Sequence, residues 1–144
     1  MLYGETLIIC GAMYHYKATI LRVIDGDTFE AMVDLGFYTY TRQNFRLLNY
    51  DAPETRGVER PIGLIAKKKL EELLEPGTEL MLRSEKSDRH CRWVAEVRWG
   101  EGTLAQHLID LGYGKLWPEG EKRVPFDPTE PYPLTKKEGL DVQK

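Results

Sequence analysis

Residues 28–35, TFEAMVDL, alternate strictly, with Phe29, Ala31, Val33 and Leu35 on one face and Glu30, Met32 and Asp34 on the other. That period of two predicts a strand with one buried face. The segment ahead of it, YKATILRVI at 16–24, is β-branched and apolar, and only DGD separates the two. DGD makes the turn between them. Asp and Gly suit it, because both favour turns and Gly26 tolerates a positive φ. Gly36 marks a second turn, and YTYTRQNFRLL at 38–48 supplies a third strand. The meander needs a cover for its apolar face.

The period then becomes helical in PIGLIAKKKLEELLEPG at 61–77. Pro61 suits a first helical turn, Ile62, Ile65, Ala66, Leu70, Leu73 and Leu74 form the expected stripe, and Pro76-Gly77 ends it. TELMLRS and WVAEVRW read as two more strands. TLAQHLIDLG reads as a short helix, with Thr103 and Gln106 at capping-box spacing and Gly112 as its stop. The predicted class is α+β: a small five-stranded OB-like β-barrel, with a helix after the third strand and a short helix after the fifth.

A chain of 144 residues, 42 % hydrophobic, supports one domain with one core. We divide it into an N-terminal extension (1–12), a barrel domain (13–117) and a proline-rich C-terminal tail (118–144). TLIIC in the extension has strand character, and Met13 is an alternative start. The tail holds five of the eight prolines. It either packs on the barrel through Val124, Phe126 and Tyr132 or lies across a groove.

Composition narrows the function. The net charge of −3 argues against a tight, non-specific binder of duplex phosphates. The two cysteines, Cys10 and Cys91, lie far apart and outside any zinc-ligand spacing. No tract is apolar and long enough to span a membrane, and the N-terminus lacks a basic leader. The expectation is a cytoplasmic protein, a secreted mature chain being the alternative, with no membrane partner.

The turns carry the chemistry. Asp25 and Asp27 flank Gly26, and Asp51 and Glu54 flank Pro53 in FRLLNYDAPET. Either turn alone is explained by backbone preference. Together they place four carboxylates at strand ends on loops that can converge, and clustered carboxylates call for a cation. Hard oxygen ligands select Ca²⁺ or Mg²⁺. An EF-hand is excluded, because Gly36 falls where the loop's bidentate acid belongs. Arg46 alternates away from Phe45 and Leu47, and a guanidinium beside a carboxylate-held cation suits a phosphodiester. Arg92 offers a second such fork.

VIDGDT, FRLLNYDAPET, DRHCR and LIDLGYGKLW, in this order, resemble the signature segments of the staphylococcal (micrococcal) nuclease family over about residues 16–117. The resemblance implies a Ca²⁺-dependent nuclease that cuts DNA and RNA with little sequence preference and leaves 3′-phosphate ends. It implies that Asp27, Asp51 and the backbone carbonyl of Ala52 hold Ca²⁺, with Mg²⁺ the lesser alternative, and that Asp25 is an outer-shell acid. Glu54 would be the general base or water-orienting group, and Arg46 and Arg92 the phosphate-holding arginines. Tyr113, Trp117 and His90 are candidates for base stacking. The expected partner is DNA or RNA, preferentially single-stranded, bound by a monomer. The alternatives are a non-catalytic OB-type module for nucleic acid or nucleotides, and a phosphodiesterase acting on small nucleotides.

Other features read as structural. Lys67, Lys68 and Lys69 face Glu71 and Glu72 on a solvated helix side. His15 and His107 have no ligand spacing, and His107 belongs at the edge of the last helix's core face.

Overall fold

The computed structural model describes residues 15–87 and 92–134. Its main strands are β1 (His15–Asp25), β2 (Thr28–Gly36), β3 (Thr39–Leu47), β5 (Glu79–Ser87) and β6 (Trp93–Trp99). Antiparallel pairing runs in the order β3-β2-β1-β5-β6, and β6 returns to pair with β3 in parallel, closing a barrel. The short strand β4 (Tyr50–Asp51) pairs with β8 (Lys115–Leu116), and β7 (Gly102–Thr103) extends β6. The α+β class and the five-stranded barrel stand as expected. Among the described residues no helix is long and apolar enough to cross a membrane.

Strand β1 slips register between Ile20 and Arg22 and again between Val23 and Asp25. An extra residue on one strand bends it and raises its twist, which lets β1 coil between β2 and β5. Phe29, Ala31 and Val33 fill the interior with Phe45, Leu47, Ala95 and Val97. Leu35, expected on the same face, is 41 % exposed because β2 runs past the core towards its turn.

Helix α1 (Arg60–Leu73) closes one side of the barrel, after a 3-10 turn at Gly57–Glu59. Ala66, Leu70 and Leu74 carry it into the core, each buried leucine contributing about 2 kcal/mol of transfer free energy. Ile65, expected in the stripe, is exposed. At 100° per residue it lies well off the line through Ile62, Ala66 and Leu70. Helix α2 (Leu104–Leu111) adds Leu104 and Leu108. The Thr103 hydroxyl accepts from the Gln106 amide at 3.1 Å, the first half of the expected capping box. The Gln106 side chain turns instead to Asp110 at 2.9 Å. Gly112 ends the helix at φ 89°.

The β2–β3 turn is unusual. Gly36 pairs with Thr39, so Phe37 and Tyr38 form a two-residue loop, with φ of 57° and 61°. Left-handed backbone costs a residue with a Cβ about 1–2 kcal/mol, and this loop normally takes Asn-Gly.

The tail packs on the barrel rather than forming a domain. Phe126 is buried, and the Tyr132 hydroxyl donates to the Tyr113 carbonyl at 2.7 Å. Val124, expected to help, is exposed. The extension at 1–12, Cys10 and Cys91 lie outside the described residues. Lys69 meets Glu72 at 3.7 Å, and the His107 ring tilts against Trp99 at 5.8 Å.

Candidate functional site

The β1–β2 turn, the segment after β3, the approach to β6 and the start of the tail meet at one end of the barrel. Gly26 holds the first of these in place through space, not through φ, which is not positive there. A Cβ at Gly26 would stand 2.8 Å from the Ala66 Cβ and 3.0 Å from the Ala52 Cβ. The DGD turn is thus wedged between α1 and the loop after β4. The Leu47 amide donates to the Asp27 carbonyl at 3.0 Å, fixing the turn against β3.

The Glu54 segment is positioned the same way. A Cβ at Gly63 would collide with the Glu54 carbonyl, so the first turn of α1 lies directly under it. Parallel pairing of β3 with β6 sets Arg92 beside the DGD turn, where its Nη1 donates to the Thr28 hydroxyl at 3.2 Å. Pairing of β4 with β8 brings in Trp117, whose amide donates to the Asn49 carbonyl at 2.9 Å.

Asp25, Asp27, Arg46, Asp51, Ala52, Glu54, Arg92 and Trp117 therefore line a single cleft of about 450 Å³. His90 lies outside the described residues. Tyr113 is not on the cleft: it packs against the core and meets Tyr132 edge-on at 5.8 Å. A larger hollow, about 590 Å³, opens beside β5, β6 and β7 and contains none of these groups. There Arg83 and Glu96 neutralise one another at 2.8 Å.

Within the cleft, one Arg46 nitrogen (Nη2) lies 3.7 Å from Asp27 and 3.9 Å from Asp51, and its guanidinium covers the Trp117 ring at 4.8 Å. The Thr28 hydroxyl donates to Asp27 at 2.9 Å, and the Thr55 hydroxyl donates to Asp25 at 2.6 Å. Burial pushes Asp51 up to about 6; the neighbouring Arg123 charge opposes the rise, and Asp27 adds to it. Glu54 keeps an exposed side chain.

Two residues that organise this cleft carry no mark in the sequence reading. Arg123, from the tail, donates through Nε to Asp51 at 2.9 Å and through Nη2 to Glu59 at 2.8 Å. Its Nη2 also reaches the Ala52 carbonyl at 3.4 Å, and its Nη1 lies 3.9 Å from Glu54. Glu59 is 4 % exposed, and its two oxygens also accept from the Glu54 amide at 2.9 Å and the Phe126 amide at 3.0 Å. Burial alone would raise the Glu59 pKa, but the Arg123 and backbone donors outweigh it and leave it lowered. Glu59 stands at the N-cap position of α1 without capping it, its carboxylate being engaged across the cleft wall. The tail thus packs on the barrel through Phe126 and adds Arg123 to the wall of the cleft. A lone arginine in a charged tail carries no sequence signal for this.

Tyr50 lies beneath the site. It is fully buried, its ring fills the space a side chain at Gly114 would need, and its hydroxyl has no hydrogen-bond partner among the described residues. Burial, then the charges of Tyr132, Asp27 and Asp51, push its pKa up.

Neither a scan against protein-family models nor a search of curated proteins returned a match for this chain.

Proposed function

We propose that this chain is a cation-assisted phosphodiesterase acting on nucleic acid, a nuclease of the staphylococcal type on an OB-like barrel. The strand order, with the first three strands as a meander and β6 closing against β3, is compatible with an OB-like barrel. One observation carries the reading: seven of the residues chosen from the sequence for metal and phosphate chemistry line one cleft.

The donor set suits a hard cation. Asp51 Oδ2 and the Ala52 carbonyl converge closely enough for one guanidinium to reach both. Asp27 joins them through the shared Arg46. Among the described residues no group of three His, Cys, Asp or Glu side chains is arranged to hold a metal. Two carboxylates and a carbonyl, completed by water, nevertheless match how Ca²⁺ or Mg²⁺ is held. Bound there, such an ion supplies charge neutralisation for the phosphoryl oxygens and acidifies water.

The chain's own residues provide the remainder. Glu54, exposed at the cleft and anchored by its amide on Glu59, can accept the proton of an attacking water. Arg46 and Arg92 aim fork-shaped donors at the space where a phosphoryl group would sit, strengthening as its charge grows. Trp117 offers a flat face beside that space.

A non-catalytic binding module is the second reading, and Arg123 favours it. Its guanidinium draws on the same Asp51 and Ala52 oxygens that an ion needs. The deciding experiment is cleavage of labelled single-stranded DNA in Ca²⁺, in Mg²⁺ and in EGTA, with Glu54→Gln and Arg46→Ala alongside. Ca²⁺-dependent cutting that drops at least ~100-fold in both variants supports the nuclease. A strand that is bound but left intact under every metal supports the module.

A further inference from the structure

The β2–β3 loop presents Phe37 and Tyr38 at 96 % exposure each, both in left-handed backbone that glycine or asparagine would adopt at lower cost. Neither ring packs on the protein, so the strain serves no core. The hairpin requires this backbone but not these side chains, and a costly residue choice kept without a packing reward points to function.

The neighbouring strand gives the direction. Along β3, the residues alternating with buried Phe45 and Leu47 are Tyr40, Arg42, Asn44 and Arg46, so these four share the outer face. Their β2 partners run from Asp34 beside the loop to Thr28, buried next to the cleft residue Asp27. The row therefore starts at the two exposed rings and ends at Arg46, which lies over Trp117. Aromatic surfaces stand at both ends, with arginines between them.

The charge of this face is also distinctive. Arg42 and Arg22 share one carboxylate, Glu30, at 3.5 and 3.0 Å, and Asp34 stands opposite Tyr40, so the charges of this face balance. On a chain of net charge −3, that places a face without excess negative charge next to flat rings. Rings that stack any base, with an exposed arginine beside them to meet a phosphate, are equipment for single-stranded nucleic acid. Duplex bases are already stacked on one another and would not use them.

We propose that the outer face of β3 is a binding track for single-stranded nucleic acid, with Phe37, Tyr38 and Tyr40 stacking its bases and Arg42 meeting its phosphates. The track rests on the phosphodiesterase reading, since the cleft is where it ends. From Tyr38 to Arg46 it spans about 27 Å of strand. A short oligonucleotide held in the cleft leaves the rings unused; a longer one reaches them.

The test replaces the loop by its preferred residues, Phe37→Asn with Tyr38→Gly, which removes the rings and relieves the backbone, so folding is not in question. Binding of labelled oligothymidylates of about four and about twelve nucleotides is measured by fluorescence anisotropy in EGTA. An oligouridylate pair separates DNA from RNA, and a tighter long strand in either series supports the track. The wild type should favour the long strand by roughly tenfold to a hundredfold, and the variant should lose that preference while its Tm rises. A variant that keeps the preference overturns the track and leaves the nuclease reading standing. A wild type that neither binds nor cuts any strand overturns both. Loss of a wild-type dimer on light scattering, with strand affinity unchanged, would assign the rings to a second copy of the chain instead.

Discussion

Strand β2 has two ends, and they are built on opposite principles. At the Thr28 end the turn is tightly wedged: glycine is required for space, and the carboxylates are met by hydroxyls, amides and arginines. At the Gly36 end the turn is exposed, and two bulky residues occupy conformations that suit them poorly. One end uses its neighbours to hold charges in a set geometry. The other keeps large apolar surface out in water, against both hydrophobic and backbone preference. An ordered charge cluster can organise a reaction; an exposed ring pair can only meet something from outside.

The largest effect should come from breaking the charge network. Arg123→Ala leaves Glu59 and Asp51 buried without their main cation, and should cost about 3 kcal/mol of stability in urea unfolding. A loss under about 1 kcal/mol would show that the tail does not hold the cleft together. Next comes the wedge itself. Gly63→Ala drives a methyl into the Glu54 carbonyl and should destabilise by roughly 2 kcal/mol while shifting Glu54 and lowering any cleavage rate. If stability falls but cleavage kinetics do not, Glu54 is not the working base.

The network should also show in pH dependence. Glu59 has a folded pKa below its ordinary value. Its contribution is fully present above the unfolded value of about 4.3, and is lost as pH falls through the lower folded value. Glu59→Gln should flatten the stability profile in that acid range, and an unchanged profile would place the linkage elsewhere. At the other end of β2 the sign reverses: Phe37→Asn with Tyr38→Gly should raise stability by about 1 kcal/mol. The smallest effect belongs to Tyr50→Phe. It removes a buried hydroxyl that has no partner among the described residues, so stability should hold or rise by under about 1 kcal/mol on thermal melting.

Most of the barrel was legible from local pattern. WVAEVRW occupies Trp93–Trp99 as expected, and TLAQHLIDLG begins and ends at its predicted cap residues. Periods of two and 3.6, with turn residues between, act over a few positions and survive in the fold. The errors fall where a pattern meets its edge. Leu35 is in phase, but the core ends before it reaches it, and Ile65 lies off the helix's buried line. Turn preference points to φ as the reason for Gly26, whereas packing against Ala52 and Ala66 is what requires it.

The sequence by itself determined which residues could do chemistry and on which turns they stand, because carboxylate, proline and glycine spacing is local information. Only the tertiary structure decided that Arg123 would sit among those acids and that Glu59 would bind it. The partners are 72 and 64 residues apart along the chain, and nothing in the spacing of a charge names its counter-charge. Coulomb attraction acts through space, and the space is set by how β4 pairs with β8 and how Phe126 packs.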